Sequence, residues 1–138
     1  MKLEETVWAL NSKPFVDTKD FVVYKDKYPV TEGHLLFVPK VEDWEHLAKC
    51  YKAAYQWGYD WVQKGYCDAY NIGQNVGREA GQSIMYAHVH LIPRRKADVS
   101  DPTGGVRHAI PDKGNYKKDW KEFGDPKDDD SKQMRLFE

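Results

Sequence analysis

With 138 residues the chain is one domain's worth, long enough to bury a core without disulfide or metal support. A formal net charge of −1 gives no general attraction to nucleic acid or an anionic membrane, and no apolar run approaches the length of a bilayer span. Cys50 and Cys67 lack a CxxC spacing and residues 1–5 carry no apolar signal segment, so a cytoplasmic protein with free thiols is expected.

Taken in order, residues 6–10 fit either a short helix or an edge strand. Residues 15–24 are rich in β-formers, and residues 34–38 form a second apolar run closed by Pro39. Two strands so close in sequence pair antiparallel. Residues 43–64 read as the one long helix. Asp43 stands as N-cap, Leu47, Cys50, Tyr51, Ala54, Trp57, Gly58 and Trp61 recur at helical spacing, and Gly65 follows as the C′ residue. The aromatics on this helix read as core and dimer surface. Residues 69–73 form a strand, and residues 74–81, with two glycines and no periodicity, a hairpin-like loop.

That loop leads into residues 84–92, which read as one strand ended by Pro93. Side chains alternate faces along a strand, so Met85, Ala87, Val89 and Leu91 form an apolar face, with Tyr86, His88 and His90 on the other. Two imidazoles side by side on a rigid strand suit a site, because imidazole can be nucleophile, acid, base or metal ligand near neutral pH. The plainer reading is two half-exposed histidines at a strand end. After residue 94 the chain turns basic and glycine-rich, with a short helix expected around 116–123. Residues 125–138 are charged and breaker-rich and are read as a mobile tail. The whole is an α+β arrangement: an antiparallel sheet with one long helix and shorter helical pieces, over residues 1–124. One sheet face is covered by the helix and the histidine face is left for a ligand.

Gly81-Gln82-Ser83, then His88-Val89-His90 followed by Leu91-Ile92-Pro93-Arg94, resembles the signature of the histidine triad family of nucleotide hydrolases and transferases. That signature alternates three histidines with apolar residues. Tyr86 stands at its first histidine, His88 at the second and His90 at the third. Asp26, Pro29, Gly33, His34 and Pro39 match a second block of the family, so the resemblance covers roughly residues 14–95.

The resemblance implies the family's antiparallel fold, usually seen as a homodimer, here through the 43–64 helix and the strand after Ala69. It implies His88 as the nucleophile that attacks an α-phosphorus and forms a nucleotidyl-histidine intermediate. His90 would lie beside the phosphate near the leaving group, and His34 would orient His90 and tune its protonation. Asp26, eight residues before His34, maps to a ribose contact. Asn75, Gln82 and Ser83 map to the α-phosphate loop, and Tyr24 to the base pocket, with Phe15 and Leu36 as further candidates. A stacking pocket of this kind favours purines only modestly. Residues 104–111 resemble a block of bacterial members that act on diadenosine polyphosphates. From it Arg107, helped by Arg94, could reach distal phosphates. Tyr86 is counted among the substrate-binding residues and departs from the pattern, since a phenol is neither charged nor a good acid at pH 7. The resemblance therefore points to a hydrolase or transferase of purine nucleotides or dinucleotides. It needs no cofactor of its own, with Mg²⁺ arriving with the substrate if at all. A nucleotide-binding module without turnover is the alternative from a different class. A zinc site using His34 with the His-x-His pair is a third reading, set back by the lack of a cysteine or acid at ligand spacing beside that pair. His46 and His108 carry no matched role.

Overall fold

The structure, a computed structural model, describes residues 1–116; the expected 116–123 helix beyond Tyr116, the 124/125 boundary and the charged tail lie outside the described residues. The described residues divide into two compact units, Met1–Asp98 and one that begins at Val99. The first unit holds a five-stranded sheet of β1 (Val16–Asp17), β2 (Phe21–Lys25), β3 (Leu35–Pro39), β4 (Ala69–Gly73) and β5 (Val89–Arg94). The strand order is β1-β2-β3-β5-β4, and every neighbouring pair is antiparallel. Two helices accompany it, α1 (Val7–Asn11) and α2 (Trp44–Gln63). This is the α+β arrangement that the hydrophobic pattern predicts.

Residues 15–24 are two strands rather than one, because Thr18 folds them into a tight hairpin: its Oγ1 accepts from the Phe21 amide and donates to the Phe21 carbonyl. α2 starts where Asp43 accepts from the His46 amide at 2.8 Å. It ends in paired C-terminal bonds, with the Gly65 amide donating to the Val62 carbonyl and the Tyr66 amide to the Trp61 carbonyl. Gly65 supplies the positive φ of +77° that this ending requires. Cys50 and Ala54 on α2 meet Val23, Leu35, Phe37, Val89 and Leu91 from the sheet to make the main core. Gly58, one turn further along, is where the Tyr70 ring of β4 packs directly onto the helix.

The other sheet face is not left open along its length. Val22, Tyr24, Leu36, Val38 and Tyr86 form a second buried cluster, capped by Trp8 from α1. Thr6 N-caps α1 through the Ala9 amide, so the stretch that fitted helix or strand is a helix.

β5 differs from its expected bounds at both ends. Its ladder with β3 runs Leu35↔Leu91, Leu36↔His90 and Phe37↔Val89, and the same register would set Pro39 opposite Ala87. Proline has no N–H to give, so the ladder stops and the strand begins at Val89, with His88 just before it. Met85 consequently sits 42% exposed rather than in an apolar face with Val89 and Leu91. At the far end Pro93 does not terminate β5. The Arg94 carbonyl faces β4 and accepts from the Asp68 amide, whereas the Pro93 carbonyl faces the other way and accepts from Thr31 Oγ1. The missing N–H of Pro93 thus falls on the side where β3 has already ended.

Candidate active site

β3 and β5 bring His34, His88 and His90 together. The rings of His88 and His90 lie 5.2 Å apart, as do those of His34 and His90. Hydrogen-bond polarity assigns every proton. The Tyr86 carbonyl can only accept, so His88 Nδ1 donates to it at 2.7 Å and, in the neutral ring, the lone pair is on Nε2. The Val30 amide can only donate, so His34 Nδ1 accepts from it at 3.2 Å and His34 carries its proton on Nε2. His34 Nε2 then donates to His90 Nδ1 at 2.9 Å, which leaves the neutral His90 with its proton on Nε2. His90 Nε2 is buried and has no partner among the described residues. The site therefore sets a bare imidazole nitrogen beside an unsatisfied N–H donor.

Burial holds both relay histidines in the neutral form. His90 is pushed down to about 4, chiefly by desolvation, then by neighbouring His88 and His34, with Asp26 acting weakly the other way. His34 is lowered by burial, against an upward pull from Asp26. Asp26 sits half-buried with Oδ2 3.4 Å from His34 Nε2, and its Oδ1 accepts from the Tyr28 amide. Asp26, His34 and His90 gather closely enough to hold a metal ion. The proton assignment does not fit that use. A metal on His34 Nε2 would drive its proton to Nδ1, against the Val30 N–H that already points there. Zinc on His34 Nε2 would take the place of its hydrogen bond to His90 Nδ1.

Several expected ligand contacts are placed otherwise. Tyr86 is 1% exposed, and its hydroxyl donates to the Pro39 carbonyl at 2.7 Å, so it is a core residue beneath the site and not a substrate contact. Gln82 is spent on its own loop, accepting from the Gly77 amide and donating to the Ile84 carbonyl. Arg94 is held bidentate by Asp98 and also donates to Asn71 Oδ1, so it is not free for a phosphate. Tyr24 is buried and stacks with Trp8 at 6.3 Å, with Leu36 in the same cluster. Phe15 is on the opposite side, packed on Trp57 at 6.0 Å. It lines a cleft with Lys25, Trp61 and Tyr66 that reaches Asp26 and His34 but neither His88 nor His90. Ser83 and Asn75 are exposed on the loop that precedes His88. In the second unit Arg107 Nε donates to the Gly114 carbonyl and its guanidinium lies 5.5 Å over the Tyr116 ring.

Two contributors escaped the sequence reading. Trp8 meets His88 edge to face at 4.8 Å and leaves it only 7% exposed. A lone tryptophan in a five-residue helix has no periodicity to announce it. Glu42 accepts from the Ala87 amide at 2.9 Å across 45 residues of sequence, and nothing local marks such a bond.

A family model described as the HIT domain matches residues 9–97. The chain is 30% identical to the asymmetrical bis(5'-nucleosyl)-tetraphosphatase of Schizosaccharomyces pombe, over 68% of its own length and 56% of that protein's. It is 32% identical to the adenosine 5'-monophosphoramidase of Saccharomyces cerevisiae, over 58% of its own length and 52% of that protein's. It thus spans little more than half the length of these two relatives. Among solved structures, a zinc-bound histidine triad family protein from Mycobacterium smegmatis superposes with a TM-score of 0.59 at 24% identity, covering 65% of this chain and 72% of that one, a likeness of fold.

Proposed function

The chain belongs to the HIT domain family, and on that premise we propose that it is a nucleotide hydrolase or nucleotidyl transferase acting at a nucleoside α-phosphate. The observation that carries this reading is the pairing of His88, whose Nε2 lone pair is free, with His90, whose Nε2–H is buried and unsatisfied. His88 Nε2 attacks the α-phosphorus; the N–P bond forms as the bond to the leaving oxygen breaks. The ring gains positive charge, which the Nδ1–H bond to the Tyr86 carbonyl stabilises. His90 Nε2–H donates to a phosphate or leaving-group oxygen, as a preorganised donor does where charge develops. Water or another acceptor then attacks phosphorus as the N–P bond breaks, its proton passes to solvent, and His88 is released with its lone pair restored.

A neutral His90 offers a hydrogen bond more readily than a whole proton. A polyphosphate leaving group departs as a stable anion and needs no more than that. Dinucleoside polyphosphates are therefore the first substrate class, in keeping with the activity named for the fission-yeast relative. Asp26 serves the ribose, Ser83 and Asn75 serve the α-phosphate, and Trp8, backed by the buried Tyr24, walls the base side. Mg²⁺ comes with the substrate. The chain acts as a cytoplasmic homodimer through α2 and β4, one of the two edge strands of the sheet.

Diadenosine tetraphosphate turnover, with and without a chelator, tests this reading. Turnover that survives removal of metals other than Mg²⁺ and is lost in His88→Ala is the expected result. Tight binding without turnover would mark a silent binding module. Turnover restored only by zinc would mark a metalloenzyme.

A further inference from the structure

We propose that Tyr86 and Glu42 form a two-point clamp that positions the carbonyl fixing the tautomer of His88, which makes both of them positioning residues. This rests on the reading of His88 as the nucleophile. The clamp replaces a piece of sheet. Beyond Phe37↔Val89 the β3–β5 register would pair Pro39 with Ala87, and proline cannot complete that pair. Two side chains take over the unmade bonds. The Pro39 carbonyl accepts from the Tyr86 hydroxyl at 2.7 Å, and the Ala87 amide donates to Glu42 Oε2 at 2.9 Å. Both ties end on consecutive residues, and His88 is the next one. The carbonyl between them, that of Tyr86, is the acceptor for His88 Nδ1. No ladder bond holds this peptide, so its orientation depends on the two side chains.

Their chemistry suits the task. The Tyr86 phenol is buried and pushed up to about 12, mainly by desolvation, so it stays a donor at all working pH values. A histidine at the same position would bring a ring that titrates near neutral pH into that cluster. Glu42 reaches from the residue before the N-cap of α2, so the start of the long helix is tied to the backbone that aims the nucleophile. Rotation of the Tyr86–Ala87 peptide would withdraw the carbonyl from His88 Nδ1. The proton could then settle on Nε2, which removes the lone pair that attacks.

The test uses the full chain with ¹⁵N-labelled histidine. Wild type, Glu42→Ala, Glu42→Gln, Tyr86→Phe and His88→Ala are compared by diadenosine tetraphosphate kinetics and by the ring ¹⁵N spectrum of His88. Wild type should show the Nδ1–H tautomer. Glu42→Ala and Tyr86→Phe should lower kcat by on the order of 10- to 100-fold, with KM little changed, and should shift His88 to mixed tautomers. Glu42→Gln, which keeps an oxygen acceptor, should recover both readouts. Glu42 is exposed, so its variants test the clamp even if Tyr86→Phe folds poorly. An unchanged Nδ1–H tautomer in folded Glu42→Ala would overturn the proposal, whether or not kcat falls. Full turnover in His88→Ala would instead overturn the nucleophile reading, a result the tautomer spectra do not depend on.

Discussion

His90 accepts a hydrogen bond from His34 on one nitrogen and shows an unsatisfied N–H on the other, in surroundings that keep it neutral. That has a consequence for stability. Its folded-state pKa of about 4 lies below the ordinary 6.5, so between those values the unfolded chain binds a proton that the folded chain refuses. Stability is therefore full above pH 6.5 and falls as pH drops toward 4, by on the order of 3 kcal/mol for the whole shift. His34, lowered by burial, adds to the loss with the same sign. Chemical denaturation from pH 7 to 4 should show a shallower decline in His90→Asn than in wild type; equal declines would mean that His90 is not held neutral. The three histidines were legible in the sequence because their spacing and the Gly33-His34 block carry the family pattern. Tyr86 and Gln82 were not, since a residue at a motif position can face inward or spend its amide on its own loop. Only the bonds to Pro39, Gly77 and Ile84 reveal that.

α2 lies so close to β4 that Gly58 has the Tyr70 ring where a Cβ would be. Gly58→Ala is expected to cost about 1–3 kcal/mol by overpacking, despite the gain in helix propensity. Urea denaturation checks it, and a stabilised variant would show that Tyr70 moves aside freely. On the opposite face α1 is a short element with one large anchor. Trp8→Ala should cost about 3 kcal/mol or more and uncover His88. KM for a dinucleotide should rise more than kcat falls, because a wall is lost and the nucleophile stays. A fall confined to kcat would place Trp8 in the chemistry instead. The long helix was readable from its spacing, its Asp43 cap and its Gly65 ending, all local signals. The start of β5 was not, because it is set by Pro39, some fifty residues away in sequence. The continuation of β5 through Pro93 depends on β3 ending first, a fact of sheet topology.

At the scale of the molecule, β4 leaves one outer edge of the sheet unpaired, and Tyr55 and Tyr59 stand exposed on α2. An open edge beside exposed aromatics is a surface that a second copy can cover. Sedimentation at micromolar concentration should show about twice the 16.1 kDa of one chain, and a purely monomeric profile would remove the dimer from the account. The fold class was legible because residues 15–94 carry short apolar strand runs on either side of a single long helical pattern. The closure of the second face by Trp8 and Tyr86 was not, since it joins segments that show no mutual signal in sequence.

The most direct measurement of the central claim is a trapping experiment on the intact chain. Diadenosine tetraphosphate labelled in its adenylate part is mixed with enzyme in excess, quenched within one turnover, and the label is mapped by peptide mass. The expected result is one adenylate on His88, labile to acid and stable to base as a phosphoramidate is, and absent from His88→Ala. Turnover with no label on His88, or with the label on another residue, would contradict the covalent mechanism.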